Sequence, residues 1–336
     1  MLTEKSILIT GGTGSLGHAL VKEILNRWPS VGRLAVFSRD ELKQHEMREK
    51  FPEEQFPSLR FLLGDVRDRQ RVLRAFNRVD VVIHAAALKQ VPAAEYNPME
   101  FIRTNVIGAE NVVEAAIDAN IKTVVALSTD KAAAPVNLYG ATKLCSDKLF
   151  VAAKRYAGSD LKSVVVRYGN VMGSRGSVIP LFVQRAPRGV LPITHPDMTR
   201  FNITLKEGVD LVLWAIEHAH GGEILVPKIP SYRVTDLAKA VGPSCRQEII
   251  GVRPGEKIHE EMITSSDSYS TIDLGSYYAI LPSADKSVIN DYVKKHLAKL
   301  VKPNFSYNSR DNDIFLSVDQ LRSLIRDHVS PQAVSL

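Results

Sequence analysis

Short apolar runs alternate with amphipathic stretches through the first half of the chain, and the two periods predict strands and helices in turn. The apolar runs fall near 6–10, 33–38, 59–63, 80–84, 122–128 and 162–168, and helical spacing of apolar residues recurs near 16–27, 40–50, 68–77, 98–118 and 138–157. Strands that alternate with helices bury both faces, so this rhythm predicts the α/β class: a Rossmann-type doubly wound parallel sheet. After Gly169 the pattern changes, with Gly173, Gly176, Pro180, Pro187, Gly189, Pro192 and Pro196 interrupting it before an amphipathic helix at 205–218. Beyond that the chain predicts a strand at 223–226, a helix at 234–241, a strand at 246–251, a short helix at 256–263 and a helix from Ser317 to His328. Residues 1–170 are therefore expected to form the doubly wound part, whose strand ends are where such sheets bind ligands. Residues 171–336 form a smaller part, mainly substrate-binding, with segments that return to the first.

The first strand runs into Gly11-Gly12-Thr13-Gly14-Ser15-Leu16-Gly17 and then a helix of Leu20, Val21, Ile24 and Leu25. Glycines at a strand-to-helix turn let the backbone approach a pyrophosphate, with free helix N–H groups facing it. The second strand ends in Ser38-Arg39-Asp40, with Lys43 one turn on. An arginine at that edge suits a ribose 2'-phosphate, which favours NADP; Asp40 is compatible with NAD, or with capping the next helix. Asp65 and Val66 lie at another strand edge, where Asp65 either accepts from an adenine amino group or closes a turn. Ala85 and Ala86 follow the fourth strand and are small enough for a cofactor to lie against their backbone.

The 336 residues, 45% of them apolar, suit one soluble enzyme-sized unit. No apolar span reaches membrane length and no signal-like segment opens the chain, so a cytoplasmic location is expected. Only Cys145 and Cys245 occur, which argues against a disulfide scaffold or a cysteine metal cluster, and the isolated histidines make no metal site. The net charge of +6 is spread among acidic residues, so an anionic small substrate is a better partner than nucleic acid.

Chemistry concentrates after the fifth strand, in Ser128-Thr129-Asp130-Lys131 and in Tyr139 with Lys143 on the following helix. At i,i+4 the lysine can lower the phenol pKa and reach cofactor hydroxyls, so that Tyr139 takes a proton from a sugar hydroxyl as hydride leaves carbon. Oxidation alone needs no Asp130 or Lys131. A carboxyl there can give a proton to a departing hydroxide, and a lysine of lowered pKa can take a proton from carbon beside a ketone.

Longer runs carry a more specific signal: ITGGTGSLG at 9–17, SRDELKQ at 38–44, HAAALKQVPAAEYNP at 84–98, STDKA at 128–132, NLYGATK at 137–143, RYGNVMGSRGSVIP at 167–180, MTRF at 198–201 and GVRPGEKIHEEMI at 251–263. On these the chain resembles the inverting UDP-N-acetylglucosamine 4,6-dehydratases of the extended short-chain dehydrogenase/reductase family, which open the pseudaminic acid route. The resemblance implies an internal redox cycle on UDP-N-acetylglucosamine: hydride leaves C4 for NADP, the C5 proton is removed, water leaves C6, hydride returns to C6 and C5 is reprotonated on the other face. It makes Asp130 the acid for C6, Lys131 the C5 base, Tyr139 with Lys143 the oxidation pair, and Thr129 a partner of the C4 oxygen. Lys89, which also reaches the cofactor, and Asn170 fall near the sugar, and Val178, Thr199, Arg200, Arg253 and Glu256 near the nucleotide. It also implies a homo-oligomer, dimer or hexamer. The family often has asparagine where this chain has Ala134 and an aromatic residue where it has Asn202. The alternatives are a UDP-sugar 4-epimerase, a related enzyme feeding L-fucosamine or capsule synthesis, and a cofactor-binding protein without catalysis.

Overall fold

In the computed structural model, residues 2–156, 160–174 and 176–329 are described. The last residue of the helix expected at 138–157, Arg175 of the 167–180 run, and the tail from 330 lie outside them. The N-terminal half follows the predicted alternation: β1 Ser6–Thr10, α1 Ser15–Arg27, β2 Arg33–Ser38, α2 Glu41–Lys50, β3 Leu59–Leu63, α3 Arg69–Ala75, β4 Val81–His84, α4 Val91–Tyr96, α5 Pro98–Phe101, α6 Gly108–Asp118, β5 Thr123–Thr129, α7 Leu138–Tyr156 and β6 Lys162–Tyr168. The helical stretch predicted at 98–118 is not uniform. A wider π-type turn at Ile102–Ile107 joins α5 to α6, and in it Asn105 bonds both the N–H and the carbonyl of Leu88 and the Thr142 hydroxyl.

Among the described residues the main sheet has ten strands, in the order 299–300, 271–273, 277–280, 224–227, β6, β5, β4, β1, β2, β3. From β3 to 224–227 all neighbours are parallel, and 277–280 joins 224–227 antiparallel. The order of strands reverses between β1 and β4, which opens a crevice at their C-terminal ends. Each of β1, β2, β4, β5 and β6 is almost wholly buried, as strands covered on both faces must be. A second apolar core, with Phe182, Leu191, Tyr232, Leu237, Leu321 and Ile325, lies among helices 178–185, 234–241 and 318–328. The helix at 205–218 starts on a Thr204–Glu207 capping box and packs against α1.

One predicted element is corrected. Residues 256–263 are not a helix: a turn at Gly255, φ 76°, leads into extended chain, and Glu261–Ile263 pairs with Tyr307–Asn308. The carbonyls a helix would use are diverted, because Arg200 donates to those of Lys257 and Ile258, the Thr199 N–H to that of Ile258, and the Ser309 N–H to that of Glu260. Strands 271–273 and 277–280 and helix 286–296 had no reading in the sequence, since their apolar runs are too short to show a period.

Candidate active site

A cavity of about 1140 Å³ runs from the β1–α1 turn, across the ends of β4 and β5, to the loop at 250–257. Its first half is a backbone cradle. Gly11 has φ 65°, and a Cβ there would lie 2.8 Å from Ala86 Cα; a Cβ on Gly17 would lie 2.1 Å from the Gly12 carbonyl oxygen. Both positions therefore require glycine for the turn to close. Thr13, Gly14, Ser15, Leu16, Ala85 and Ala86 line the cavity with them. The Thr13 hydroxyl donates to Ser38 Oγ at 3.1 Å.

The acidic residues of the β2 and β3 edges are already engaged. Asp40 caps α2 through the Lys43 N–H and pairs with the Lys43 ammonium. Asp65 takes the Arg67 N–H at 3.0 Å and its guanidinium at 2.7 Å, with Arg39 at 3.6 Å. Burial works against the Asp65 carboxylate, but the Arg67 bonds and charge hold it below the usual range. Asp65 thus closes the turn through Arg67 and also lines the cavity, where its adenine-accepting role stays open. Arg39, Lys43 and Val66 line the cavity beside them, and Arg39 is half exposed.

At the cavity floor β5 delivers Thr129, and α7 delivers Tyr139 and Lys143 on one face. The Thr129 hydroxyl donates to Asp130 Oδ1 at 3.0 Å and accepts from the Lys131 N–H at 3.4 Å. Lys131 Nζ lies 3.0 Å from Asp130 Oδ1, 3.0 Å from Glu260 Oε1 and 3.4 Å from Asn170 Oδ1. Behind this floor Ser128 and Arg167 both donate to Asp147, one turn beyond Lys143 on α7. His84 bonds the Thr10 hydroxyl at 2.8 Å, and burial pushes its pKa down to about 3, so it is a neutral packing residue.

Four expectations change. Asp130 does not line the cavity: it is wholly buried beneath it, reached through Thr129 and Lys131, and its second oxygen has no partner. Burial foremost, and then Glu260, raise its pKa. Lys131 does not have a lowered pKa, because the attraction of Asp130 and Glu260 outweighs its burial and holds it as an ammonium. Nor does Lys143 lower the phenol. Burial pushes Tyr139 up to about 12, the counteracting charge is that of Lys131, and burial lowers Lys143 itself. Thr199 faces away from the cavity, its hydroxyl bonded to His259 at 2.9 Å and to Ser309 at 2.7 Å.

Across the cavity stand Lys89, Asn170, Val178, Arg253 and Glu256. Arg253 is exposed and lies 3.9 Å from Glu256. Arg200 also lines the cavity, but its guanidinium is committed to three backbone carbonyls, of Thr199, Lys257 and Ile258, and approaches Glu260 at 3.7 Å. Sequence reasoning missed Glu260 and Lys257, whose ammonium donates to the Ala133 carbonyl at 2.6 Å. Both lie in the 251–263 run, where the resemblance points to Arg253 and Glu256 alone.

Residues 7–282 match the family described as polysaccharide biosynthesis protein. A UDP-N-acetylglucosamine 4,6-dehydratase (inverting) from Campylobacter jejuni is 51% identical over 97% of this chain and 98% of its own length. A UDP-glucose 4-epimerase from Rickettsia akari is 46% identical over 83% of this chain and 84% of its own. The X-ray structure of Pen from Bacillus thuringiensis superposes with a TM-score of 0.87 at 36% identity, covering 97% of this chain and 98% of that one. With the strand order and the Gly11–Gly17 cradle, these likenesses make the chain an enzyme of the extended short-chain dehydrogenase/reductase type and a member of the polysaccharide biosynthesis protein family, in which inverting UDP-N-acetylglucosamine 4,6-dehydratases are among its relatives.

Proposed function

We propose that the protein catalyses the inverting 4,6-dehydration of UDP-N-acetylglucosamine with epimerisation at C5, giving UDP-2-acetamido-2,6-dideoxy-beta-L-arabino-hexos-4-ulose. The observation that carries this reading is the Asp130–Lys131 pair at 3.0 Å, set under the cavity that Tyr139 and Lys143 also line. A 4-epimerase needs only the second pair, whereas loss of water from C6 needs an acid and a base more.

NADP is the proposed cofactor, and residues 1–170 the part that binds it. The glycine cradle fits its pyrophosphate, and Arg39 with Lys43 fits a 2'-phosphate at an edge where Asp40 is occupied as a helix cap. When bound, NADP supplies a hydride acceptor for C4 and a donor for C6. Tyr139 takes the C4 hydroxyl proton, and its elevated pKa makes the nearby cations necessary for it to do so. Thr129 bonds the C4 oxygen. Lys131 removes the C5 proton once its own extra proton has moved to Asp130, and Asp130 gives its proton to the departing C6 hydroxyl through Thr129 Oγ1 or Lys131 Nζ, both 3.0 Å away. Lys89 and Asn170 hold the sugar, and Val178 and Glu256 the nucleotide. The Arg253 guanidinium, exposed and facing Glu256, is better suited to the pyrophosphate than that of Arg200, which three backbone carbonyls hold.

The test is incubation with UDP-N-acetylglucosamine and NADP in deuterated water, followed by NMR. A 4-keto-6-deoxy sugar of L-arabino configuration with deuterium at C5 is expected. A 4-epimer that keeps its 6-hydroxyl and carries no C5 deuterium would mean an epimerase instead.

A further inference from the structure

Glu260 is a buried carboxylate that ordinary chain pairing does not explain. It lies in the extended segment before Glu261–Ile263, is 2% exposed, and lines the cavity. Its backbone is pinned by Ser309, which accepts from its N–H at 2.9 Å and donates to its carbonyl at 2.8 Å. One side-chain oxygen takes Lys131 Nζ at 3.0 Å and faces Arg200 Nε at 3.7 Å; the other is buried without a partner. A buried carboxylate is costly unless it is paired, and Glu260 is paired with a cation that the proposed reaction needs held in place.

On the reading proposed above, that need is specific. Elimination breaks the C5–H bond and the C6–O bond: the C5 proton and the lone pair of Lys131 form a new N–H, the C5–H electrons become the C5–C6 double bond, and the hydroxyl leaves as water with the proton of Asp130. One proton has then moved, in net, from Asp130 to Lys131. Two features follow from the chemistry: Nζ must be fixed relative to C5, and the pair must carry one shared proton when the sugar arrives. We propose that Glu260 is the positioning residue that meets both requirements, fixing Lys131 over the cavity and keeping that shared proton on the Asp130–Lys131 pair. Arg200, tied to three carbonyls, in turn fixes Glu260.

The charged and titratable groups that face this cluster set the sign of its pH dependence. Lys131 faces Asp130, Glu260, Arg200 and Lys257; Asp130 faces Lys131, Glu260 and Lys257; Glu260 faces Lys131, Arg200 and Lys257; and the phenols of Tyr139 and Tyr232 face both Asp130 and Lys131. The charge of Glu260 retains the shared proton, so its removal lets that proton go at lower pH.

The experiment compares full-length wild type, Glu260→Gln and Glu260→Asp with UDP-N-acetylglucosamine and NADP, measuring kcat and KM against pH and the reduced nicotinamide formed in a single turnover. The Gln variant keeps shape and loses charge. Its kcat is expected to fall about 100-fold, as for a misplaced catalytic group, with KM within about threefold. Its alkaline limb moves to lower pH, and reduced nicotinamide accumulates because C4 oxidation outruns elimination. The Asp variant keeps the alkaline limb and recovers part of the turnover. A wild-type kcat in Glu260→Gln overturns the proposal, as does a loss confined to KM with an unmoved pH profile, or a loss without nicotinamide build-up that Asp does not relieve. If the Gln variant does not fold, the Asp variant decides: a lowered kcat with an unmoved alkaline limb supports the proposal and an unchanged kcat overturns it. Failure of the underlying reading is separate, because a 4-epimer from the wild type shows it whatever either variant does.

Discussion

Replacing Lys131 by methionine should convert the floor of the cavity into a pH-sensitive weakness. The substitution keeps most of the apolar stem and removes the ammonium that lies 3.0 Å from both Asp130 and Glu260, which are 0% and 2% exposed. Breaking a buried pair from one side costs about 3–5 kcal/mol if the orphaned charge stays ionised. Here two carboxyls lose their shared cation, and protonation of one of them relieves the strain. In the wild type the two act oppositely. Asp130, raised by burial, contributes stability below its unfolded pKa that is lost as pH rises through its folded value, and Glu260, lowered by Lys131 and Arg200 against its burial, contributes stability above its unfolded pKa that is lost as pH falls. In Lys131→Met both lose the lowering influence of Lys131, so the native state holds more protons than the unfolded one above about pH 4, where unperturbed Asp and Glu titrate. Stability of the variant then falls as pH rises, by up to about 1.4 kcal/mol per pH unit for each proton retained. Urea unfolding of both proteins between about pH 5 and 8 measures the difference, which should be small at the acid end and approach about 3 kcal/mol at the other. A difference that stays constant across this range would refute the reasoning, because it would mean that Lys131 does not hold these carboxylates ionised.

Ala134 has φ 43°, a left-handed backbone that costs alanine roughly 1 kcal/mol, so Ala134→Gly or Ala134→Asn should raise the thermal midpoint if the loop keeps its shape; a lowered midpoint for both counts against that strain. Gly17→Ala should lose cofactor binding and destabilise the fold, since its Cβ would lie 2.1 Å from the Gly12 oxygen, and near-native binding by titration calorimetry would contradict the cradle geometry. Arg39→Ala should weaken NADP binding by about tenfold or more, as expected for one charged hydrogen bond, and leave NAD binding nearly unchanged; equal losses for both would remove the 2'-phosphate argument.

The parts of the molecule legible in the sequence are those whose cause is local. Gly11 and Gly17 announce a turn because the backbone there tolerates no Cβ, and β1, β4 and β5 announce themselves because burial on both faces demands continuous apolar residues. Ser128 to Lys131 and Tyr139 to Lys143 could be placed together because strand end and following helix must meet at the crevice. The failures have a distant cause. The segment at 256–263 has helical spacing, yet Arg200 takes two of its carbonyls and Ser309 donates to a third. Nothing in the spacing of Lys131 predicts that Glu260 would reverse its expected pKa shift, since only the tertiary fold brings the two within 3.0 Å. For Asp65 the turn-closing contact with Arg67 is local and legible two residues on, while an adenine contact is not a property of the spacing.

Arg200 joins these distant causes into one device. Its bonds to the Lys257 and Ile258 carbonyls hold the far end of the loop that carries Arg253 and Glu256, the groups suited to a nucleotide. Its approach to Glu260 at 3.7 Å holds the carboxylate that in turn holds Lys131. The Arg253–Glu256 end of the cavity and its Lys131–Glu260 floor therefore share a single rigid strut, and a guanidinium can serve as one because its planar donors bind several acceptors at fixed angles. A lysine at position 200 would retain the charge and lose this geometry. On the function proposed above, loosening the strut would disturb both ends together, so nucleotide affinity and elimination rate would be linked through a residue that need touch neither the base nor the reacting carbon.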